Sequence, residues 1–366
     1  MNTTAYYAIG IPVYIVLFGV ESVIARARHH ATPSLAGSLS NICTGLGAIV
    51  VGMVVGPVMV MLYSWAYHHF AVIAWADWWT PLIVALVLGD LANYWRHRFE
   101  HRWAVLWAVH HVHHSPTEMN LSVGMRHAWL SDTYAFPFYA VLPVLGIPPA
   151  QFFLAMVGVT LYALFTHSCE YSYPSFGILV TPRTHIVHHA TNARYVDKNF
   201  AAMLVIWDRL FGTYQPLDPR EPPMFGTTRG SETHDGALAQ WVLFRELGRA
   251  LRATRGLGAK LRLLVARPRA GDPVTPPAAT PSRGIRIYVI AQLALLVAFA
   301  AHVYGLPGEA WRSAVAGALL IVTTIVAIGG LLDGRRFARG FEAIRMMVFV
   351  PTAAIIIANT WGQGGT

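Results

Sequence analysis

Apolar residues fall along this chain in runs far longer than the core segments of a soluble domain, separated by polar blocks. A membrane-spanning helix needs about 20 predominantly apolar residues. Runs of that kind cover Ala5 to Val23, Asn41 to Tyr67 and Trp79 to Trp95. A polar block from Arg96 to Ser131 follows. Two shorter apolar runs come next, Thr133 to Gly146 and Gln151 to Phe165, joined at Pro148-Pro149. After a long polar region from His167 to Arg283, three more runs close the sequence: Ile285 to Val303, Trp311 to Leu332 and Ile344 to Ala358. The pattern predicts an all-α integral membrane protein with about eight spans. The proline-linked pair at 133–165 reads equally as a full hairpin or a shallow one. The first run lacks a basic leader and a small-residue cleavage site, so it reads as a retained anchor.

Charge gives the spans a direction. Arg26 and Arg28 follow the first run, Arg96, Arg98 and Arg102 the third, and Arg335, Arg336, Arg339 and Arg345 the seventh. With alternating sides, all of these fall on one face, together with the 167–283 region. The positive-inside rule makes that face cytoplasmic, with both termini outside. Residues 237–267 interleave Trp241, Phe244, Leu247, Leu251, Leu261 and Leu264 with Arg245, Arg249, Arg252, Arg255 and Arg262, which predicts a basic amphipathic helix on the inner leaflet. Pro268 to Ser282, rich in Pro and Ala, reads as a linker. Four regions result: N-terminal spans to residue 79, a histidine-rich region over 80–216, the amphipathic helix and linker over 217–283, and C-terminal spans from 284.

Composition agrees. Apolar residues make up 55% of the chain and charged ones 12%, about half the usual share for a soluble domain. Mean hydropathy is +0.46. The net charge of +9 in such a chain reports loops near anionic lipid; no basic-aromatic stripe points to nucleic acid. Lys198 and Lys260 are the only lysines beside many arginines, a bias that hints at a GC-rich bacterial genome and so, with the spans, at a bacterial cytoplasmic membrane. Cys43 and Cys169 are far apart and form no disulfide framework.

The chemistry lies in histidine. Of 17 histidines, 11 fall between His97 and His189. Three clusters stand out: HRFEH, with His97 and His101; HHVHH, with His110, His113 and His114; and HIVHH, with His185, His188 and His189. The i, i+4 pair shares one helix face. In each triplet the x-x spacing sets two imidazoles about one turn apart, and the adjacent third points elsewhere. Each triplet can therefore serve more than one metal ion. Neutral imidazole suits iron, copper, nickel and zinc, but a catalytic zinc takes only about three protein ligands. Eight clustered imidazoles suit two iron ions with positions left open for oxygen. The carboxylates nearby do not repeat the Glu-x-x-His spacing of soluble di-iron bundles, so the site is nearly all histidine. A zinc protease would want H-E-x-x-H, and the Glu of HRFEH is misplaced for that. His29, His30, His68, His69, His234 and His302 read as ordinary polar residues.

These boxes, with the segments HHSPTEMNLS and YVDKNFAAMLVIWDRLFGTY, resemble the fatty acid hydroxylase / sterol desaturase superfamily. The three extra C-terminal runs resemble its alkylglycerol monooxygenase-like branch. The resemblance is dense over 80–216 and architectural beyond. It implies that the eight box histidines ligate a di-iron centre and that His167, in FTHSCE, adds a ninth ligand. His111 would sit outside the ligand set, and His127 need not be a ligand in the ether-lipid branch. Asp90, Asn93, Glu100, Asp197, Asn199 and Asp208 are candidates to hold the outer ring nitrogens or their supports.

The function expected is insertion of oxygen into a C–H bond of a membrane lipid, or its desaturation, by two ferrous ions and molecular oxygen. An ether lipid, a fatty acyl chain and a sterol-like ring all fit. Electrons would come from a separate redox protein or, as the branch implies, a reduced pterin. Two rival classes are a zinc-dependent membrane hydrolase and a non-enzymatic metal transporter. Metal content and oxygen dependence separate the first, and ligands placed near the bilayer midplane would mark the second.

Overall fold

The computed structural model describes residues 3–30, 32–171, 173–227, 233–268, 281–306 and 310–361. Residues 269–280 of the expected Pro/Ala-rich linker lie outside them. Among the described residues the chain is helical, with one isolated antiparallel bridge between Leu179 and Leu204.

Long helices open the chain: α1 (Thr3–Ala27), α2 (Leu35–Phe70) and α3 (Trp79–Arg102). Ser34 starts α2 by accepting the Gly37 N–H at 3.0 Å. Asp77 starts α3 by accepting from Trp79 N and Thr80 N, both at 2.8 Å. Such side-chain acceptors satisfy N–H groups that have no partner inside the helix. Next come α4 (Ala104–His114) and α5 (Leu121–Met125), then α6 (Phe136–Tyr139), α7 (Val141–Val144) and α8 (Pro149–Phe165). The polar region carries α9 (Pro182–His189), α10 (Ile206–Leu210), α11 (Gly236–Ala239), α12 (Val242–Ala253) and α13 (Leu257–Val265). Helices α14 (Arg283–Tyr304), α15 (Trp311–Leu332) and α16 (Ala338–Trp361) complete it.

Among the described residues four helices are long and apolar enough to cross a membrane: Leu35–Phe70, Arg283–Tyr304, Trp311–Leu332 and Ala338–Asn359. The eight apolar runs do not become eight such helices. Residues 133–146 break into a 3₁₀ turn and two four-residue helices. Pro137 and Pro143 lack the N–H that a continuing helix requires. Helix α8, at 17 residues, is about 25 Å long, short of a full hydrocarbon core. Gly146 turns the chain between these pieces at φ 76°; a Cβ there would lie 1.9 Å from the Ile73 carbonyl oxygen. No other residue type fits.

Helix α2 stands between two cores. On one side Leu46 and Val50 pack with Leu296, Ile321 and Ile325 of the C-terminal helices. On the other Tyr63 packs with Ala85, Tyr139 and Phe152. The second core fixes α3 against α8, where Gly89 lets Met156 approach to within 2.1 Å of where a Cβ would stand. That contact orients the lower end of α3 and, with it, the first histidine cluster.

Candidate metal centre

Four segments carry the nine histidines. His97 and His101 lie one turn apart at the end of α3, and His110, His113 and His114 end α4. His185, His188 and His189 occupy α9, which starts at a capping box between Thr181 and Thr184. His167 sits in the turn just beyond α8.

The structure brings all nine together as two groups. His97, His101, His110, His114 and His188 form one; His113, His167, His185 and His189 form the other. Within each group the ligand nitrogens all lie within 4.8 Å of one another. Both triplets divide between the groups, as their spacing suggests, but in a different sense from the expectation. The partners within a group are i and i+4 (His110 with His114, His185 with His189), and the i+3 residue joins the other group. Four residues advance 400° around a helix and three only 300°, so the closer alignment is with i+4.

The ring nitrogens are oriented from outside. His97 Nδ1 donates to the Phe200 carbonyl at 2.7 Å and His188 Nδ1 to that of Lys198 at 2.9 Å. His113 Nδ1 donates to the Arg126 carbonyl at 3.2 Å and His167 Nδ1 to that of Ala163 at 2.9 Å. His110 Nδ1 faces Glu100 Oε2 at 3.2 Å. A carbonyl can only accept, so these imidazoles carry their proton on Nδ1 and turn an Nε2 lone pair inward. Two such lone pairs meet at 3.1 Å between His113 and His167, and two more at 3.1 Å between His97 and His110. No neutral hydrogen bond fits those contacts. Similar Nε2 approaches of 3.0–3.2 Å link His110 to His114, His114 to His188, His167 to His185 and His185 to His189. His101 Nε2 is buried with no partner.

Protonation does not relieve this arrangement. Burial first, then neighbouring imidazoles, hold His110, His113, His114, His185 and His189 well below the usual histidine range. His188 is held down in the same way. The inward-facing nitrogens are neutral donors in a dry pocket, which is the donor set a divalent transition-metal ion takes. Two groups of five and four exceed what one catalytic zinc uses.

The six expected supports sort by contact. Glu100 touches the cluster and also accepts from Arg96 at 3.0 Å and Tyr134 at 2.7 Å. Asp197 lies 3.9 Å from His101 Nδ1 and pairs with Arg267. Asp208 accepts from the N–H groups of Phe200 and Ala201 and from Thr213. Asn199 ties Thr184, in α9, to Gln215. Asp90 accepts from Met203 N, Leu204 N and Trp207 Nε1, so it anchors the 203–207 turn without reaching an imidazole. Asn93 accepts from Tyr139 and likewise makes no contact with the boxes. His111 and His127 lie outside both groups. His111 donates to the Ala108 carbonyl at 3.0 Å, and burial pushes its pKa down to about 4.

Sequence reasoning missed the carbonyls that hold the outer nitrogens. Asp197 (φ 59°) and Asn199 (φ 55°) both adopt the left-handed region and flank Lys198, at the turn that brings the Lys198 and Phe200 carbonyls to His188 and His97. Asp and Asn tolerate that conformation best among non-glycine residues, so the D-K-N-F string was the available signal. Buried Arg126 was also missed. Its guanidinium caps α4 at the Val112 carbonyl (2.9 Å) and reaches Ser40 (2.8 Å) and the Thr233 carbonyl (3.2 Å). Trp107 packs its ring 5.0 Å from that of His101.

A family model described as fatty acid hydroxylase matches residues 82–213, the interval that holds all nine histidines. Alkylglycerol monooxygenase of Danio rerio is 30% identical over 312 residues, covering 79% of this chain and 68% of that protein. The Homo sapiens alkylglycerol monooxygenase is 30% identical over 310 residues with the same coverage. Ornithine lipid hydroxylase OlsE of Rhizobium tropici is 29% identical over 192 residues, 48% of this chain and 53% of its own. No solved structure matches the chain. The boxes, the helical architecture and coverage that extends well beyond the boxes agree: the chain belongs to the fatty acid hydroxylase / sterol desaturase superfamily, in the branch that contains alkylglycerol monooxygenase.

Proposed function

We propose that this protein is a membrane-bound non-haem di-iron monooxygenase that hydroxylates a membrane lipid, with an ether lipid the leading substrate class. One observation carries the reading: within each of two adjoining groups of buried neutral imidazoles, Nε2 lone pairs face one another at 3.1 Å, His97 on His110 in one group and His113 on His167 in the other. Two ferrous ions held by these groups would supply the activation of molecular oxygen. His97, His101, His110, His114 and His188 hold one ion, and His113, His167, His185 and His189 the other. The carbonyls of Phe200, Lys198, Arg126 and Ala163 keep protons on Nδ1 and so keep each Nε2 free to bind. Glu100 does the same for His110. Packed aromatic rings, among them Phe200 and Trp107, exclude water from the first group.

In this reading α1, α2, α3 and α14 to α16 cross the bilayer, and α6 to α8 form a shallow hairpin. The cluster then faces the cytoplasm of a bacterial cell, and residues 80–216 form the catalytic region. Substrate enters laterally from the lipid, with its reactive carbon near headgroup level. A separate redox protein or a reduced pterin delivers electrons. The ether-lipid preference rests on the two alkylglycerol monooxygenases. The test is lipid mass spectrometry on cells with and without the gene, grown under labelled oxygen. A lipid that gains one labelled oxygen only when the gene is present supports the reading; label-free turnover or hydrolysis products reject it.

A further inference from the structure

The basic segment expected as one amphipathic helix is two. Gly256, at φ 83°, ends the run and separates α12 from α13. Helix α12 spends its apolar side on the protein, since Leu243 is buried and Phe244 packs with Val109 and Val112 of α4. Helix α13 does not. Leu257, Leu261 and Val265, at i, i+4 and i+8, form one stripe, exposed at 73%, 54% and 50%. Among the described residues nothing covers it. The inner side of α13 carries half-buried Leu263 and Leu264 and rests toward α4. The helix is therefore apolar on both its protein side and its outer side.

Position and charge say what lies outside. The Ala266 carbonyl, just past α13, accepts the N–H of Ala104 at 2.9 Å. That pins the end of α13 to the point where the chain leaves α3, within two turns of the last apolar residues of that helix. Over residues 247–268 there are six cations and no acid; Arg267 pairs with Asp197, which leaves Arg249, Arg252, Arg255, Lys260 and Arg262 for an outside partner. An apolar stripe in a purely cationic segment, held beside the exit of an apolar helix, complements an anionic bilayer surface.

We propose that α13 is an interfacial helix that seats Leu257, Leu261 and Val265 in the membrane this chain occupies, with arginine and lysine reaching anionic headgroups. The inference does not depend on the chemistry of the metal centre. It is tested on the full chain in nanodiscs of phosphatidylcholine with phosphatidylglycerol. A nitroxide is attached at Leu261→Cys in a Cys169→Ser background, with Arg220→Cys as an aqueous control. The Leu261 label should favour collisions with oxygen over a soluble nickel chelate several-fold more than the control, as for a depth of about 5–10 Å at the headgroup–acyl boundary. Accessibility to nickel equal to that of Arg220→Cys would overturn the proposal. So would spin–spin broadening between labels, which would mean that a second copy covers the stripe. An unchanged depth in pure phosphatidylcholine discs would overturn the part assigned to anionic headgroups.

Discussion

Asp208 and His97 never touch, yet the backbone of one residue, Phe200, joins them. The Asp208 carboxylate accepts the Phe200 N–H at 2.8 Å, and the Phe200 carbonyl accepts His97 Nδ1 at 2.7 Å. The same carboxylate takes the Ala201 N–H at 3.0 Å and the Thr213 hydroxyl at 2.7 Å. A buried acid held by two backbone N–H groups and a threonine hydroxyl is a positioning device for the segment it holds.

Replacing Asp208 with Asn puts an amide NH₂ against one of the two N–H groups that now donate to the carboxylate. Iron affinity should fall by roughly 10–100-fold, the usual effect of losing an outer support of a ligating histidine. Titration against a competing chelator reads this, with circular dichroism as the control for folding. Asn93→Ala, whose contact is with Tyr139 alone, should change iron affinity much less. Wild-type affinity in Asp208→Asn would show that the Phe200 peptide holds its place without this carboxylate.

Metal content tests the pair of groups directly. Protein purified without oxygen should carry about two irons per chain, as a two-metal site requires. Chelation should abolish turnover, and ferrous iron should restore it. A single tightly held zinc, with activity that survives iron chelation, would reject the di-iron reading.

Box histidines and bystanders should separate cleanly. His188→Ala and His189→Ala should abolish turnover while the protein still inserts into the membrane, because each removes a ligand from a different group. His69, exposed at the end of α2 with Nδ1 on the Trp65 carbonyl, should tolerate Ala with little change. Substantial activity in His188→Ala would break the assignment at its centre.

The hairpin aromatics make two different predictions. Phe152 is buried and stacks on Tyr63 with ring centres 4.2 Å apart. Phe152→Ala should cost about 3–5 kcal/mol of stability, read from thermal melts in detergent. Phe153 is only half-buried beside it, so Phe153→Ala should alter chain-length selectivity more than it alters iron content. An unchanged product profile across a lipid series, here and at Phe138, would remove the hairpin from the substrate path.

Much of this was legible because it is local. Spacings such as His97 to His101, or His110 to His114, state which side chains share a helix face before any tertiary contact is known. Long apolar runs likewise announce α2, α14, α15 and α16. The sorting of His113 and His188 into opposite groups was half legible, since it turns on the 100° step of the helix and on side-chain direction together. The carbonyls of Lys198 and Phe200 were not readable as such, for their direction depends on backbone angles at Asp197 and Asn199. Residues 133–146 were open in the sequence, where apolar content allowed a full or a shallow hairpin; Pro137 and Pro143 accompany the break into short pieces.

The division of both H-x-x-H-H boxes between the two imidazole groups has a mechanical consequence. His113 and His114 are neighbours on α4, and His188 and His189 are neighbours on α9, yet each pair straddles the groups. The gap between the groups is thus gauged twice by the pitch of a single helix, independently of how α3, α4 and α9 settle against one another. Thermal breathing of the bundle can shift the whole cluster, but it changes that gap only by unwinding α4 and α9 together. Two calipers of this kind let the imidazole cluster keep its internal dimensions while the surrounding helices shift.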